Sequence, residues 1–190
     1  MIYVNGRFLL QSLTGVNRFA YELCRAWVQM GIPFILCCPS GSIKGCYDVS
    51  HFNIVVYGWG KSHVWEQLLL PLWFSRIKGE KVLVCFTGLG PLLIRKKIMT
   101  IHDLAFMANP DWYSRSYRLW YRLMTPLCVA TSMKILTVSE FSKSEIVRRL
   151  SIDDRKISVI YNAVSSLFCV SDSSHRNARE VTGEKYILAV

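Results

Sequence analysis

The sequence has no C-x-x-C cysteine pair, no glycine-rich dinucleotide fingerprint, no long apolar run and few acidic side chains. Each shortage closes off a class of function. Seven cysteines are present (Cys24, Cys37, Cys38, Cys46, Cys85, Cys128 and Cys169), but no two stand in C-x-x-C spacing. Structural zinc sites are built from such pairs, so no metal is expected. An odd number of thiols, most of them inside apolar runs, fits buried free cysteines in a reducing compartment better than a disulfide framework. No G-x-G-x-x-G follows the first apolar run, which argues against a dinucleotide-dependent oxidoreductase. No stretch reaches the ~18 apolar residues that a bilayer-crossing helix needs. Asn5, Gly6 and Arg7 interrupt the N-terminal apolar stretch, which does not suit a secretory leader. A cytoplasmic protein is expected, soluble or peripheral on the inner face of the cell membrane.

Acidic residues number 13 against 23 Lys and Arg, a net charge of +10. Nucleic acid, an anionic membrane surface and phosphorylated substrates would each suit that excess. The basic residues are scattered and no nucleic-acid motif is present, so nucleic acid is set aside. Charge does not separate the other two.

What is present points to a packed α/β chain. Hydrophobic residues make up 52% and aromatics 13%, too rich for a disordered polymer. Short β-rich runs fall at Ile2–Val4, Pro33–Cys38, Asn53–Tyr57, Lys81–Phe86, Lys97–His102, Lys134–Ser139 and Ile157–Tyr161. Several lack alternation, as strands buried on both faces do. Between them lie helical patterns. Val16, Phe19, Ala20, Leu23, Ala26, Trp27 and Met30 form one apolar stripe, ended by Gly31-Ile32-Pro33. Further helices are expected at Val64–Ile77, Ser114–Thr131 and Glu140–Leu150, with Pro71 and Pro126 kinking or splitting the two longer ones. The last helix starts either at a Ser139 cap or at a Ser142–Glu145 capping box. Strands alternating with helices predict a Rossmann-like, doubly wound parallel sheet with ligands at the strands' carboxyl ends.

Several residues at those ends can carry chemistry, and each has a plainer reading beside it. Gly15, before the first helix, lets backbone N–H groups approach a phosphate, or is an ordinary turn glycine. Asn17 and Arg18 on the first turn add donors, or simply face solvent. His102 ends a strand, where it can donate to a sugar hydroxyl or phosphate and titrate near neutrality. Asp103 orients it or caps the next segment; a core role for the pair is the alternative. Ser139 contacts substrate or caps a helix. In the Trp112–Thr131 stretch, Arg115, Arg118 and Arg122 fall within about 60° of one another. Tyr113, Tyr117, Trp120, Tyr121, Met124 and Cys128 fall on the other side. A basic stripe beside aromatics can seat a helix on anionic lipid or bind a polyprenyl diphosphate sugar; otherwise it is a solvated face opposite a core face. The apolar run Trp65, Leu68, Leu69, Leu70, Leu72, Trp73 and Phe74, followed by Arg76, Lys78 and Lys81, is read first as core, with docking at a membrane interface as the alternative.

Five segments in order resemble glycosyltransferase family 4, the retaining GT-B enzymes. They are Leu13-Thr14-Gly15-Val16-Asn17-Arg18-Phe19-Ala20, Thr100-Ile101-His102-Asp103-Leu104, Leu136-Thr137-Val138-Ser139-Glu140-Phe141-Ser142, the run from Ile157 through Tyr161-Asn162-Ala163 to Ser165, and Lys185–Val190. The family's usual Gly and Asp are replaced here by Ala163 and Ser165. The resemblance implies that residues 1–164 form the acceptor-side half of a GT-B fold. It implies that 165–184 are a polar linker and that 185–190 open a truncated, donor-binding second domain. It further implies transfer, with retention, of a hexose such as mannose from a nucleotide sugar to a lipid-linked or growing surface glycan, as in O-antigen assembly. His102 and Asp103 would be catalytic, and Gly15, Asn17, Arg18 and Ser139 would bind substrate. The alternative is a truncated or split-enzyme fragment, inactive without a separate donor-domain chain.

Overall fold

The computed structural model describes residues 1–59 and 63–164. The expected linker and final strand lie outside them. Seven strands form one sheet: β1 Ile2–Asn5, β2 Phe34–Cys38, β3 Ile54–Val56, β4 Val82–Cys85, β5 Lys97–Thr100, β6 Lys134–Thr137 and β7 Ile157–Val159. All pairings are parallel, in the order β3-β2-β1-β4-β5-β6-β7. Each strand falls on a predicted run; β1 extends one residue further, to Asn5, and the other six are shorter than expected. Ile2 pairs with Phe34 on one side and Val82 on the other. The strand order therefore reverses between β1 and β4, and that switch opens a crevice at their carboxyl ends.

Because strand side chains alternate in direction, neighbouring residues feed separate cores. Val4, Leu36 and Val84 meet Ala20 and Cys24 of helix α1 (Gly15–Gln29) on one face. Tyr3, Leu83, Met99 and Ile135 meet α2 (Leu70–Arg76), α4 (Arg115–Thr131) and α5 (Glu140–Leu150) on the other. The short α3 (Ala105–Ala108) follows β5. Right-handed crossovers demand this division of helices between faces. Five cysteines, at 24, 37, 38, 85 and 128, are buried as free thiols, while Cys46 is exposed. Burial pushes the Cys24 and Cys38 thiols up to about 12, so neither is a thiolate near neutrality.

The prolines act differently from one another. Pro71 is the second residue of α2, and Trp65–Leu69 before it form a π-helical turn. A proline lacks an N–H and its ring crowds the carbonyl one turn back; the wider π-turn relieves that clash. Pro126 neither splits nor ends α4. It lies on the exposed side, where the carbonyl left without a partner can face water. Of the two starts for α5, Ser139 is the cap: its Oγ accepts from Ser142 N at 3.0 Å. Glu145 pairs instead with Arg148 and Arg149.

Candidate active site

A cavity of about 440 Å³ opens at the carboxyl ends of β1, β4 and β5. Three connections wall it: the segment after β1 (Arg7, Gln11, Ser12, Thr14), the loop after β4 (Thr87, Gly88, Leu89) and the end of β5 (Thr100 through Leu104). Tyr113, Tyr117 and Tyr121 close the fourth side.

His102 is held tightly. Its Nε2 lies 3.0 Å from the Phe86 carbonyl, and its ring meets Phe19 edge-on at 5.0 Å. A carbonyl only accepts, so Nε2 carries the proton. Burial lowers the ring's pKa below its ordinary value, and the Phe86 bond and Asp103 offset only part of that. The neutral ring therefore presents Nδ1 as a hydrogen-bond acceptor. This corrects the expectation of a donor to hydroxyl or phosphate: Phe86 already takes that N–H. Asp103 also borders the cavity, and its Oδ1 accepts from Ala105 N at 2.9 Å. It caps the following turn, the second of its two expected roles.

The other expected residues divide. Thr14 caps α1, its hydroxyl accepting from Asn17 N at 3.3 Å. Asn17 is not on a solvated face; it is buried, lines the cavity, and donates from Nδ2 to Ser12 O at 2.8 Å. It shapes the loop with one of its two donors. Gly15 is exposed and a methyl group there would meet nothing within 4 Å, so the protein's own packing does not require glycine. Arg18 is exposed and does not border the cavity. Ser139 acts at one remove: its Oγ donates to Ser142 Oγ, and Ser142 Oγ donates to the His102 carbonyl, each at 3.0 Å.

Sequence reading missed the inner end of the cavity. Asn5 ends β1 and Arg7 follows it closely, and Gly6 between them opens the tight 3-10 turn. A methyl group on Gly6 would stand 2.6 Å from Cys38 Sγ. Fully buried Glu66 reaches this turn from the π-helical segment. Its Oε1 accepts from Asn5 Nδ2 at 2.6 Å; its Oε2 lies 3.6 Å from Arg7 Nη2 and 3.7 Å from His63 Nδ1. Arg7 and His63 both border the cavity. The available signal was position alone, since Arg7 stands just past the end of the first strand.

The aromatics in and just before α4 follow the core-face alternative. Tyr113 stacks on Tyr117 at 5.2 Å and Tyr117 on Tyr121 at 4.2 Å, and all three face the cavity. Met124 and Cys128 are buried. The depression that Arg115, Arg118 and Arg122 border is lined by Leu119 and Leu123 and by none of these residues. Burial raises Tyr117 and Tyr121 above the ordinary phenol range, so both remain neutral hydroxyls able to donate and accept.

Comparison with known proteins fits this geometry. Residues 13–166 match the Glycosyltransferase Family 4 model. The O-antigen chain mannosyltransferase RfbU of Salmonella typhimurium is 33% identical over 112 residues, which are 59% of this chain and 29% of that protein. The match thus spans less than a third of that relative's length. With the family model covering β2 to β7 and most of the cavity wall, more than half of the chain, the chain belongs to glycosyltransferase family 4.

Proposed function

We propose that this chain is the acceptor-holding half of a retaining glycosyltransferase. The protein moves a hexose, with mannose the first candidate, from a nucleotide sugar to a surface glycan, either growing or linked to a polyprenyl diphosphate. The cavity around His102 is the observation that carries this reading. It combines an acceptor (His102 Nδ1), a donor (Arg7) and neutral hydroxyls (Tyr117, Tyr121) around one open cavity, a mixture suited to an uncharged polyol. Similarity to a mannosyltransferase supports the choice of sugar.

In the proposed reaction, the bond between the sugar's anomeric carbon and the diphosphate oxygen breaks. The acceptor hydroxyl bonds to that carbon on the same face. Its proton passes to the departing diphosphate, which leaves as nucleoside diphosphate. His102 Nδ1 accepts a hydrogen bond from a sugar hydroxyl and fixes the ring's position; it is not required as the base. The N–H groups at the start of α1, beside Gly15, lie where they can meet diphosphate oxygens. A separate donor-binding unit supplies most contacts to the nucleotide.

Calorimetric titration tests this. The 190-residue chain should bind mannose-containing oligosaccharides, and His102→Ala should weaken that binding about tenfold, the worth of one buried hydrogen bond. It should bind UDP- and GDP-sugars poorly and show no turnover. Micromolar sugar-nucleotide binding, with no response to glycans, would overturn the assignment.

A further inference from the structure

Helix α4 has two faces with different chemistry. Tyr117 and Tyr121 line the cavity. On the opposite side Leu119, Leu123 and Leu127 repeat at i, i+4 and i+8, and they are 72%, 61% and 43% exposed. Such a row belongs against something apolar. Arg115, Arg118 and Arg122 run along one edge of it, and with Leu119 and Leu123 they border a shallow depression. Between Arg115 and Thr131 there is no acidic residue. Among the described residues none of the three arginines forms an ion pair with a carboxylate, and Arg118 donates only to the Pro110 carbonyl, at 3.5 Å.

We propose that this outer face of α4 docks on an anionic lipid bilayer, with the leucines in the headgroup–acyl boundary and the arginines on lipid phosphates. Charge complementarity selects this occupant. Apolar side chains edged by unopposed cations match a surface that is apolar beneath and anionic above. A second copy of the chain fits poorly, because a two-fold contact through this face would set arginine against arginine. No helix among the described residues is long and apolar enough to cross a membrane, so attachment through α4 would be interfacial. The inference deepens the proposed function, on which its purpose rests. The cavity wall and the docking face are two sides of one helix, about 10 Å across. A glycan carried on a lipid diphosphate in the same membrane would therefore lie within reach of the cavity mouth.

Flotation of the full chain with vesicles tests it without reading activity. Wild-type protein should float with phosphatidylcholine vesicles containing phosphatidylglycerol and stay behind with phosphatidylcholine alone. Arg115→Gln with Arg122→Gln should weaken binding about 30-fold, since each basic residue contributes about 1 kcal/mol at such a surface. Leu119→Ser with Leu123→Ser should also abolish flotation. All four side chains are exposed, so the variants should keep the wild-type circular dichroism and glycan affinity. Indifference of the wild type to phosphatidylglycerol would overturn the proposal. So would equal flotation of the variants, or sedimentation showing a dimer that the leucine variant loses. Glycan binding that persists beside failed flotation would sink the docking face and leave the cavity's function standing.

Discussion

His102 joins local physics to proposed function more directly than any other residue. Its burial beside Phe19 and its bond to the Phe86 carbonyl keep it neutral and fix its tautomer. Because its pKa is lower in the folded protein, the unfolded chain takes up this proton first as pH falls. The stability it contributes is present above about pH 6.5, the ordinary histidine value, and is lost as pH falls through the folded pKa. Thermal melts between neutral and mildly acidic pH should show a steeper loss for wild type than for His102→Asn; parallel slopes would refute the assignment. The glycines separate in the same way. Gly6→Ala forces a methyl group onto Cys38 and should cost about 1–3 kcal/mol in urea unfolding. Gly15→Ala meets open space and should stay within about 0.5 kcal/mol of wild type. If Gly15→Ala nonetheless impairs transfer by the complete enzyme, the close approach it prevents is that of a ligand.

At the scale of elements, periodicity made the framework readable and tertiary pairing hid the rest. All seven strands and the stripe of α1 announced themselves because strands buried on both faces are continuous apolar runs and a half-buried helix repeats every 3.6 residues. The π-helical turn did not, since Pro71 signals only that an ordinary helix is in difficulty there. Nor did the buried role of Glu66. Its partner Asn5 is 61 residues away, and no local pattern encodes that bond. Glu66→Ala leaves Arg7 buried without this carboxylate and should destabilise the fold by about 3–5 kcal/mol. Glu66→Gln should cost less while loosening Arg7, and so should weaken glycan binding. For α5, Ser139→Ala removes a cap worth about 1 kcal/mol. It should leave glycan affinity unchanged, because Ser139 reaches His102 only through Ser142. A large affinity loss with a small stability change would give Ser139 the substrate contact that sequence reading also offered.

For the molecule as a whole, the sheet's reversal at β1 and β4 explains why residues from distant segments share one cavity. Sequence motifs found its rim at Asn17, His102 and Asp103 because these stand where strands end and helices begin. They missed its inner end at Arg7 and His63, and its tyrosine wall, because those positions depend on how α4 and the π-helical segment lie across the sheet. The same dependence decides between the two readings of α4: its aromatics face inward, as the core-face alternative had it, and Leu119, Leu123 and Leu127 lie outward. Chemical-shift mapping of the isotopically labelled 190-residue chain, titrated with a mannose-containing oligosaccharide, tests the central claim most directly. The account predicts saturable shifts at Arg7, His63, His102, Tyr117 and Tyr121 that His102→Ala diminishes. Shifts confined to other surfaces, or a glycan that leaves these residues unmoved, would contradict an acceptor site in this cavity.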